Sequence, residues 1–325
     1  TFGRSFPGLS PQAMAQRLGK KVIPASGSQL TLYGSMTTNP AWGDNTTGKY
    51  GMYTFTSPSY TTTQLKADDD LVPNGGGVLV GDTYYCINFY SFYGYKFVYF
   101  ERYNANTWEF LNDEKTSIQD VATDLTYDPI TEKVYGCFVN DNDNGYVWAT
   151  LNLETGKRQQ IAPIDNSMIA LAANAEGVIY GIDCDANLYT VNKATGAQTL
   201  VGATGLDIDN ITQSAVFDMR KNELYWTACL KDGTTGLYKV NTSTGEASLV
   251  VTFPDKEQYQ GIFIKTPLAE DGAPAAVTSV TPNFVKGSCT GAVSFTAPVK
   301  TFAGDDLTGD LTYTVTANGT TMATG

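Results

Sequence analysis

Three tyrosines, Tyr135, Tyr180 and Tyr225, each open an apolar run, and they recur at a fixed interval of 45 residues. Around each of them the same order of features returns. The copies are KVYGCFVNDNDNGYVWATLNLETGKRQQIAPI from Lys133, VIYGIDCDANLYTVNKATGAQTLVG from Val178 and ELYWTACLKDGTTGLYKVNTSTGEASLVVTF from Glu223. Every copy reads as a strand, a turn rich in Asp, Asn or Gly, a second strand, a Thr-Gly turn and a third strand. A fourth short apolar segment precedes each copy: VATDLTYD, MIALAAN and ITQSAVFD. A unit of this length cannot bury its apolar faces alone, so its neighbours must stack against it.

Four antiparallel strands in about 40 to 45 residues is the arithmetic of a β-propeller blade. A looser copy with an aromatic hairpin runs from Gly75 to Asp113. Before it, LTLYGSM, GKYGMYTFTS and TTTQLKAD supply three strands with no innermost strand ahead of them, and YQGIFIK (Tyr259 to Lys265) supplies one strand with no companions. The two remnants complete one blade if Tyr259–Lys265 pairs with Leu32–Met36. The sequence therefore predicts an all-β chain: a five-bladed β-propeller closed by N- and C-terminal strands. The rhythm Leu/Ile-Tyr-Gly, Leu-Tyr-Val-Asn, Thr-Gly resembles the NHL, YVTN and quinoprotein-like repeats of bacterial propellers, and the likeness extends over residues 30–265. That resemblance implies a fold and leaves function open.

Residues 1–28 read as an N-terminal extension, with a short helix over SPQAMAQRLGK starting at Ser10 and Pro11 in its first turn. The propeller takes residues 29–266, and TPLAEDGAPAA marks a linker at 267–275. Residues 276–325 resemble the first strands of a fibronectin type III module, through Pro274-x-x-Val277, Val293-Ser-Phe-x-x-Pro298 and Leu311-x-Tyr313-x-Val315. A complete sandwich of that class needs about seven strands, so the module is read as an incomplete, β-sandwich-like one and the chain as part of a longer parent protein with further domains. A propeller followed by such a module resembles secreted surface proteins of gut anaerobic bacteria, which implies an extracellular or cell-surface location. The chain opens at Thr1 with no basic-then-apolar leader, so a targeting signal is read as never present or already removed.

Charge and composition narrow the chemistry. Lys and Arg number 21 against 33 Asp and Glu, a net charge of −12, which argues against a nucleic-acid partner because binding there is driven by neutralising phosphates. The absence of histidine removes Ser-His-Asp and Cys-His nucleophile pairs and most zinc sites. No run of about 18 apolar residues suggests a transmembrane helix. Neither a cofactor nor a metal is expected: Asp141-x-Asp143-x-Gly145 lacks the further acidic ligands of an EF-hand loop. Cys86, Cys137, Cys184 and Cys229 follow the repeat without a CxxC pair and are expected to be reduced and buried between blades.

If the strands of a blade are lettered A to D from the axis outward, the B–C hairpins and D–A crossovers open at one end. Acidic residues gather in those loops, among them Asp183, Asp185, Asp207 and Asp209, whereas the other end is nearly balanced in charge. Asx turns account for any single one of these acids, but less well for the bias as a whole. The same end receives Trp42 and the aromatic stretch Tyr90 to Phe97, where Gly94 places a turn flanked by Tyr93 and Tyr95. Asp124 falls on an A strand where the equivalent positions hold Ala170 and Ser214, so it is either a channel carboxylate or one satisfied by backbone amides. The ligand-binding candidates are thus Trp42, Tyr93, Tyr95, Asp124, Asp183, Asp185, Asp207 and Asp209, with no catalytic set. They point to a binding or adhesion module for a glycan or a Lys/Arg-rich peptide. A carboxylate-dependent glycoside hydrolase or lyase centred on Asp124 is the rival, and a structural spacer the third alternative.

Overall fold

The computed structural model describes residues 21–22, 30–38, 50–67, 73–93, 95–112, 116–118, 120–140, 145–209, 213–219, 221–265, 268–269, 274, 277–284, 291–300, 306–307, 311–317 and 320–324. The chain divides into two units, residues 1–10 with 25–266 and residues 11–24 with 267–325. β1 (Lys21–Val22) belongs to the second unit.

The first unit holds five four-stranded sheets. Blade I is β5 (Gly77–Val80), β6 (Thr83–Phe92), β7 (Tyr95–Asn104) and β8 (Thr116–Ser117). Blade II is β9 (Ala122–Asp128), β10 (Lys133–Asn140), β11 (Gly145–Leu151) and β12 (Arg158–Ile164). Blade III is β13 (Met168–Ala173), β14 (Ile179–Asp183), β15 (Asn187–Val191) and β16 (Gln198–Ala203). Blade IV is β17 (Ser214–Asp218), β18 (Glu223–Cys229), β19 (Thr235–Val240) and β20 (Ala247–Thr252). Blade V joins β21 (Glu257–Phe263) to β2 (Leu30–Thr38), β3 (Gly51–Ser57) and β4 (Thr62–Ala67). The expected closure is present: Met36 faces Tyr259, Ser35 faces Gln260 and Tyr33 faces Phe263. The innermost strands contact one another in the order β5, β9, β13, β17, β21, and β21 returns to β5.

The repeat is more regular in space than in sequence. Tyr33, Tyr84, Tyr135, Tyr180 and Tyr225 occupy one position on the five B strands, opposite Phe263, Leu79, Thr126, Ala172 and Val216. The Thr-Gly turns between C and D strands also share one construction. The side chains of Asn152, Asn192 and Asn241 accept the amides two and three residues on, and the glycine amide returns to the asparagine carbonyl. The glycines need the left-handed region, with φ of 69, 71 and 87° at Gly156, Gly196 and Gly245. They also meet the preceding blade: a Cβ at Gly156 would lie 2.6 Å from Phe100 and one at Gly196 3.0 Å from Ile164.

Apolar side chains are buried between blades, with a buried cluster at each of the five seams. The II–III seam, for example, packs Tyr135, Cys137 and Trp148 against Met168, Leu171 and Ile179. The outer edges are protected in another way. In blades II, III, IV and V a bulge interrupts the C–D pairing, which turns the outermost strand away from flat pairing with another sheet.

The described strands of the second unit form two-stranded pairs. β1 pairs with β22 (Leu268–Ala269), β23 (Thr278–Phe284) with β24 (Gly291–Thr296), and β25 (Thr314–Ala317) with β26 (Thr320–Thr324). Leu268–Ala269 fall in the segment read as a linker, and the helix expected from Ser10 lies outside the described residues. Among the described residues no sheet of this unit exceeds two strands, and the fibronectin-like module is not shown there.

Candidate functional site

Asp124 sits two residues before the position opposite the blade tyrosine, and its counterparts in blades I, III, IV and V are Gly77, Ala170, Ser214 and Gly261. At this level a side chain of one A strand accepts an amide of the next: Asp124 Oδ2 takes the Leu171 N–H at 2.7 Å, and Ser214 Oγ takes the Ile262 N–H at 3.1 Å. Ala170 has no acceptor to offer the next blade, and the Ala215 amide faces Asp124 instead. On the other side of the ring, the Tyr84 hydroxyl donates to the Gly261 carbonyl at 2.9 Å, in space that a Cβ at Gly77 would occupy. Asp124 is fully buried. Burial raises its pKa well above the usual carboxylate range, while the amides of Leu171, Leu125 and Ala215 pull it back. The carboxyl group thus joins three blades at the axis and offers no surface to a ligand.

The acidic loop residues divide into two roles. Asp183 is buried, and its Oδ1 accepts the amides of Asp185 and Asn187 at 3.0 and 2.8 Å, so it forms the β14–β15 turn. Asp185 and Asp207 are exposed, Asp209 is half-buried, and the three lie around Lys231. The Lys231 ammonium pairs with Asp207 at 2.6 Å, and its pKa is raised by that contact first and by Asp209 and Asp185 after it. The Asp209 amide donates to the Cys229 carbonyl, which fixes this crossover against the β18–β19 turn. Among the described residues, no group of three or more His, Cys, Asp or Glu side chains is placed to hold a metal ion.

On blade I, β6 continues eight residues past its tyrosine, against five for β2 and β10, four for β18 and three for β14. Phe92 pairs with Tyr95, so the strands are joined by a two-residue turn that Tyr93 opens. Such turns require positive φ at the first central position, and Tyr93 adopts φ 48°. Tyr93 is therefore in the turn and does not flank it. Its side chain is 87% exposed and that of Tyr95 72% exposed. A bulky residue is uncommon in the left-handed region, where asparagine or glycine serves at less cost.

The structure therefore brings together Tyr93 with Tyr95, and Asp185 with Asp207 and Asp209. It does not join the two groups, because blades II and V separate blade I from blades III and IV around the ring. Trp42, the acids of the 141–144 loop and those at 68–70 lie outside the described residues. Of the four blade cysteines, Cys86, Cys137 and Cys229 are buried, but Cys184 is only half-buried. It lies one residue beyond β14, in the turn, at the margin of the cluster between blades III and IV.

Three residues went unmarked in the sequence. Lys231 is one of the few cations among the acidic loops, Tyr84 is followed directly by Tyr85, and Trp108 stands where the C–D turns of blades II, III and IV have glycine. For Trp108 a signal existed: Asn104-x-x-Thr107 repeats the Asn-x-x-Thr of the regular turns.

No family model and no curated protein matches the chain. Among solved structures, a chain of the nidogen/laminin complex aligns with a TM-score of 0.43 and 10% identity, over 72% of this chain and 97% of that one. TolB from Acinetobacter baumannii gives 0.40 and 10%, over 82% and 61%. A putative 6-phosphogluconolactonase from Bacteroides fragilis NCTC 9343 gives 0.39 and 11%, over 75% and 100%. At these scores and identities the matches bear on neither ligand nor chemistry.

Proposed function

We propose that the chain is an extracellular or cell-surface binding module that recognises a glycan, without chemistry, at the propeller end where the B–C hairpins open. The observation that carries this reading is the blade I hairpin, whose B strand continues further past its tyrosine than the other four and which ends in two exposed tyrosines, one of them held in a costly backbone conformation. A conformational cost at an exposed position is consistent with selection for what the side chain presents. Planar rings bearing hydroxyls offer a stacking surface for the C–H face of a sugar and hydrogen bonds for its hydroxyls. The enclosure of Asp124 counts against the glycosidase alternative, since a catalytic carboxyl group must reach the glycosidic oxygen.

A second reading has its own support. The excess of Asp185, Asp207 and Asp209 over Lys231 suits a Lys/Arg-rich peptide, whose binding would weaken with salt. A glycan array probed in parallel with a set of basic peptides separates the two. Wild-type protein is expected to mark glycans, and the double change Tyr93→Ala, Tyr95→Ala to abolish those signals while the melting temperature stays the same. Signals from basic peptides alone, lost on Asp185→Asn, would transfer the function to the acidic patch. Asp124-dependent release of sugar would restore the enzyme.

A further inference from the structure

We infer that a cleft on blade IV, at the end of the propeller opposite the B–C hairpins, binds a neutral mono- or disaccharide; this goes beyond the hairpin reading and does not rest on it. At the II–III and III–IV seams, the residue after the turn asparagine of one blade reaches back to the blade before it. Lys193 accepts the Trp148 indole N–H on its carbonyl and sends its ammonium to Asp128, and Thr242 stands beside the Tyr180 hydroxyl. Blade V has no such turn. Ser57-Pro58-Ser59-Tyr60-Thr61 joins β3 to β4, and Tyr60 turns to Glu257 and Tyr259 of its own blade. A cleft of about 530 Å³ opens on the face of blade IV that Tyr225 and Leu237 turn toward blade V, and no residue of the β3–β4 turn lines it.

The sheet lays out the side chains of this cleft. Tyr225 faces Lys239 across β18 and β19, and Lys239 faces Ser248 across β19 and β20, so the three share one face with Glu223, two residues before Tyr225. In the other blades the positions of Glu223 and Lys239 hold Thr31 with Thr54, Asp82 with Tyr103, Lys133 with Thr150 and Val178 with Thr190, so blade IV alone combines an acid with a base. The Lys239 ammonium pairs with Glu223 Oε1 at 2.6 Å, and the Tyr225 hydroxyl donates to Glu223 Oε2 at 2.7 Å. Burial pushes the Glu223 pKa up, but these partners outweigh it and hold the carboxyl below its ordinary value. Both members of the pair keep bonding capacity, because an ammonium has three N–H donors and a carboxylate about four lone-pair sites. At the rim, the Asn241 oxygen is taken by the Ser243 and Thr244 amides, so its NH2 group is the part offered to the cleft.

A group that donates and accepts at once can join such a pair without breaking it. Vicinal hydroxyls of a sugar ring do so, one giving its proton to Glu223 while its neighbour takes one from Lys239. An ionic ligand would have to displace a member of the pair. The volume falls within the range of small-ligand sites.

Free sugars in solution are the probe, since one small ring makes too few contacts to be retained on a washed array. The whole chain is titrated with glucose, galactose, mannose, N-acetylglucosamine, lactose and cellobiose, and with glucuronic acid, galacturonic acid and glucosamine as charged counterparts, followed by ligand-observed NMR. At least one neutral sugar is expected to bind, more tightly than its charged counterparts. Lys239→Met, which keeps the length of the side chain without its charge, should weaken that binding about tenfold or more. Ser248→Trp fills the cleft from an exposed strand position and leaves the Glu223–Lys239 pair in place, so it should abolish binding in a chain that still melts as wild type does. Tyr93→Ala with Tyr95→Ala should leave it unchanged. Binding of no neutral sugar, or binding that survives Ser248→Trp, overturns the site and leaves the hairpin reading standing. Tighter binding of a charged counterpart overturns the neutral ligand, and loss of binding in the double tyrosine variant moves the sugar to the hairpin and overturns the cleft.

Discussion

Asp124 illustrates how one residue can carry a sequence signal that only its surroundings interpret. A carboxylate midway along an inner strand stands out where the repeat puts Ala170 and Ser214, two roles fit it, and the Leu171 amide at 2.7 Å together with complete burial supports the structural one. Asp124→Ala leaves the Leu171 N–H without its side-chain acceptor at a buried position and should cost about 1–3 kcal/mol. Asp124→Asn, which keeps an acceptor, should cost less. The pH dependence has an unusual sign. An unfolded aspartate ionises near about 3.9, while burial keeps Asp124 protonated well above that value. Between the two pKa values the folded state holds the extra proton, so this residue makes stability fall as pH rises through the folded-state pKa. Denaturant melts at pH 5 and pH 8 should show the Asn variant losing less stability than wild type over that interval; an equal loss in both would mean Asp124 is already ionised in the fold.

At the scale of the element, the C–D turn shows both the strength and the limit of reading a motif. Asn-x-x-Thr-Gly was legible in three blades because local hydrogen bonds alone specify it: the asparagine oxygen caps two amides wherever the motif occurs. Trp108 breaks the pattern without breaking the turn. Its amide still returns to the Asn104 carbonyl at 2.7 Å and its φ is 59°, so a bulky residue occupies the glycine position. The compensation is tertiary. The ring is 95% buried between Tyr84 and Phe263, at centroid distances of 5.7 and 6.2 Å, where blade I meets the strand that closes the propeller. Lys265 secures the same seam, its ammonium donating to the Ala105 carbonyl at 2.7 Å. Emptying a buried aromatic site costs about 3–5 kcal/mol, against roughly 1–2 kcal/mol regained by relieving a left-handed residue. Trp108→Gly should therefore destabilise the protein by about 2 kcal/mol in urea titration, although it restores the motif; a neutral or stabilising result would show that the turn, and not the seam, dominates.

For the whole molecule, the closing strand makes the ring a single object. β21 comes from one end of the propeller sequence and β2–β4 from the other, and Tyr259 and Phe263 on β21 enter the clusters at the IV–V and V–I seams respectively. A chain ended after Thr252 should lose cooperative unfolding, whereas one ended after Lys265 should melt as the full chain does. Matching calorimetric transitions for both truncations would contradict the closure. The blade count and this closure were determined by the sequence alone, because a fixed period and a strand count are properties of the chain itself, and the two unmatched remnants could satisfy their edges only on each other. The turns with Thr-Gly were determined in the same way, by contacts within five residues. The tertiary structure alone decided which candidate residues face solvent. Asp124 and Asp183 are buried and accept backbone amides, Asp185, Asp207 and Asp209 gather around Lys231, and Tyr93 is exposed just beyond a B strand that continues further past its tyrosine than the other four. Exposure and partnership depend on what neighbouring blades bring to the same point, and residues about 45 positions apart in the chain leave no local trace of that meeting.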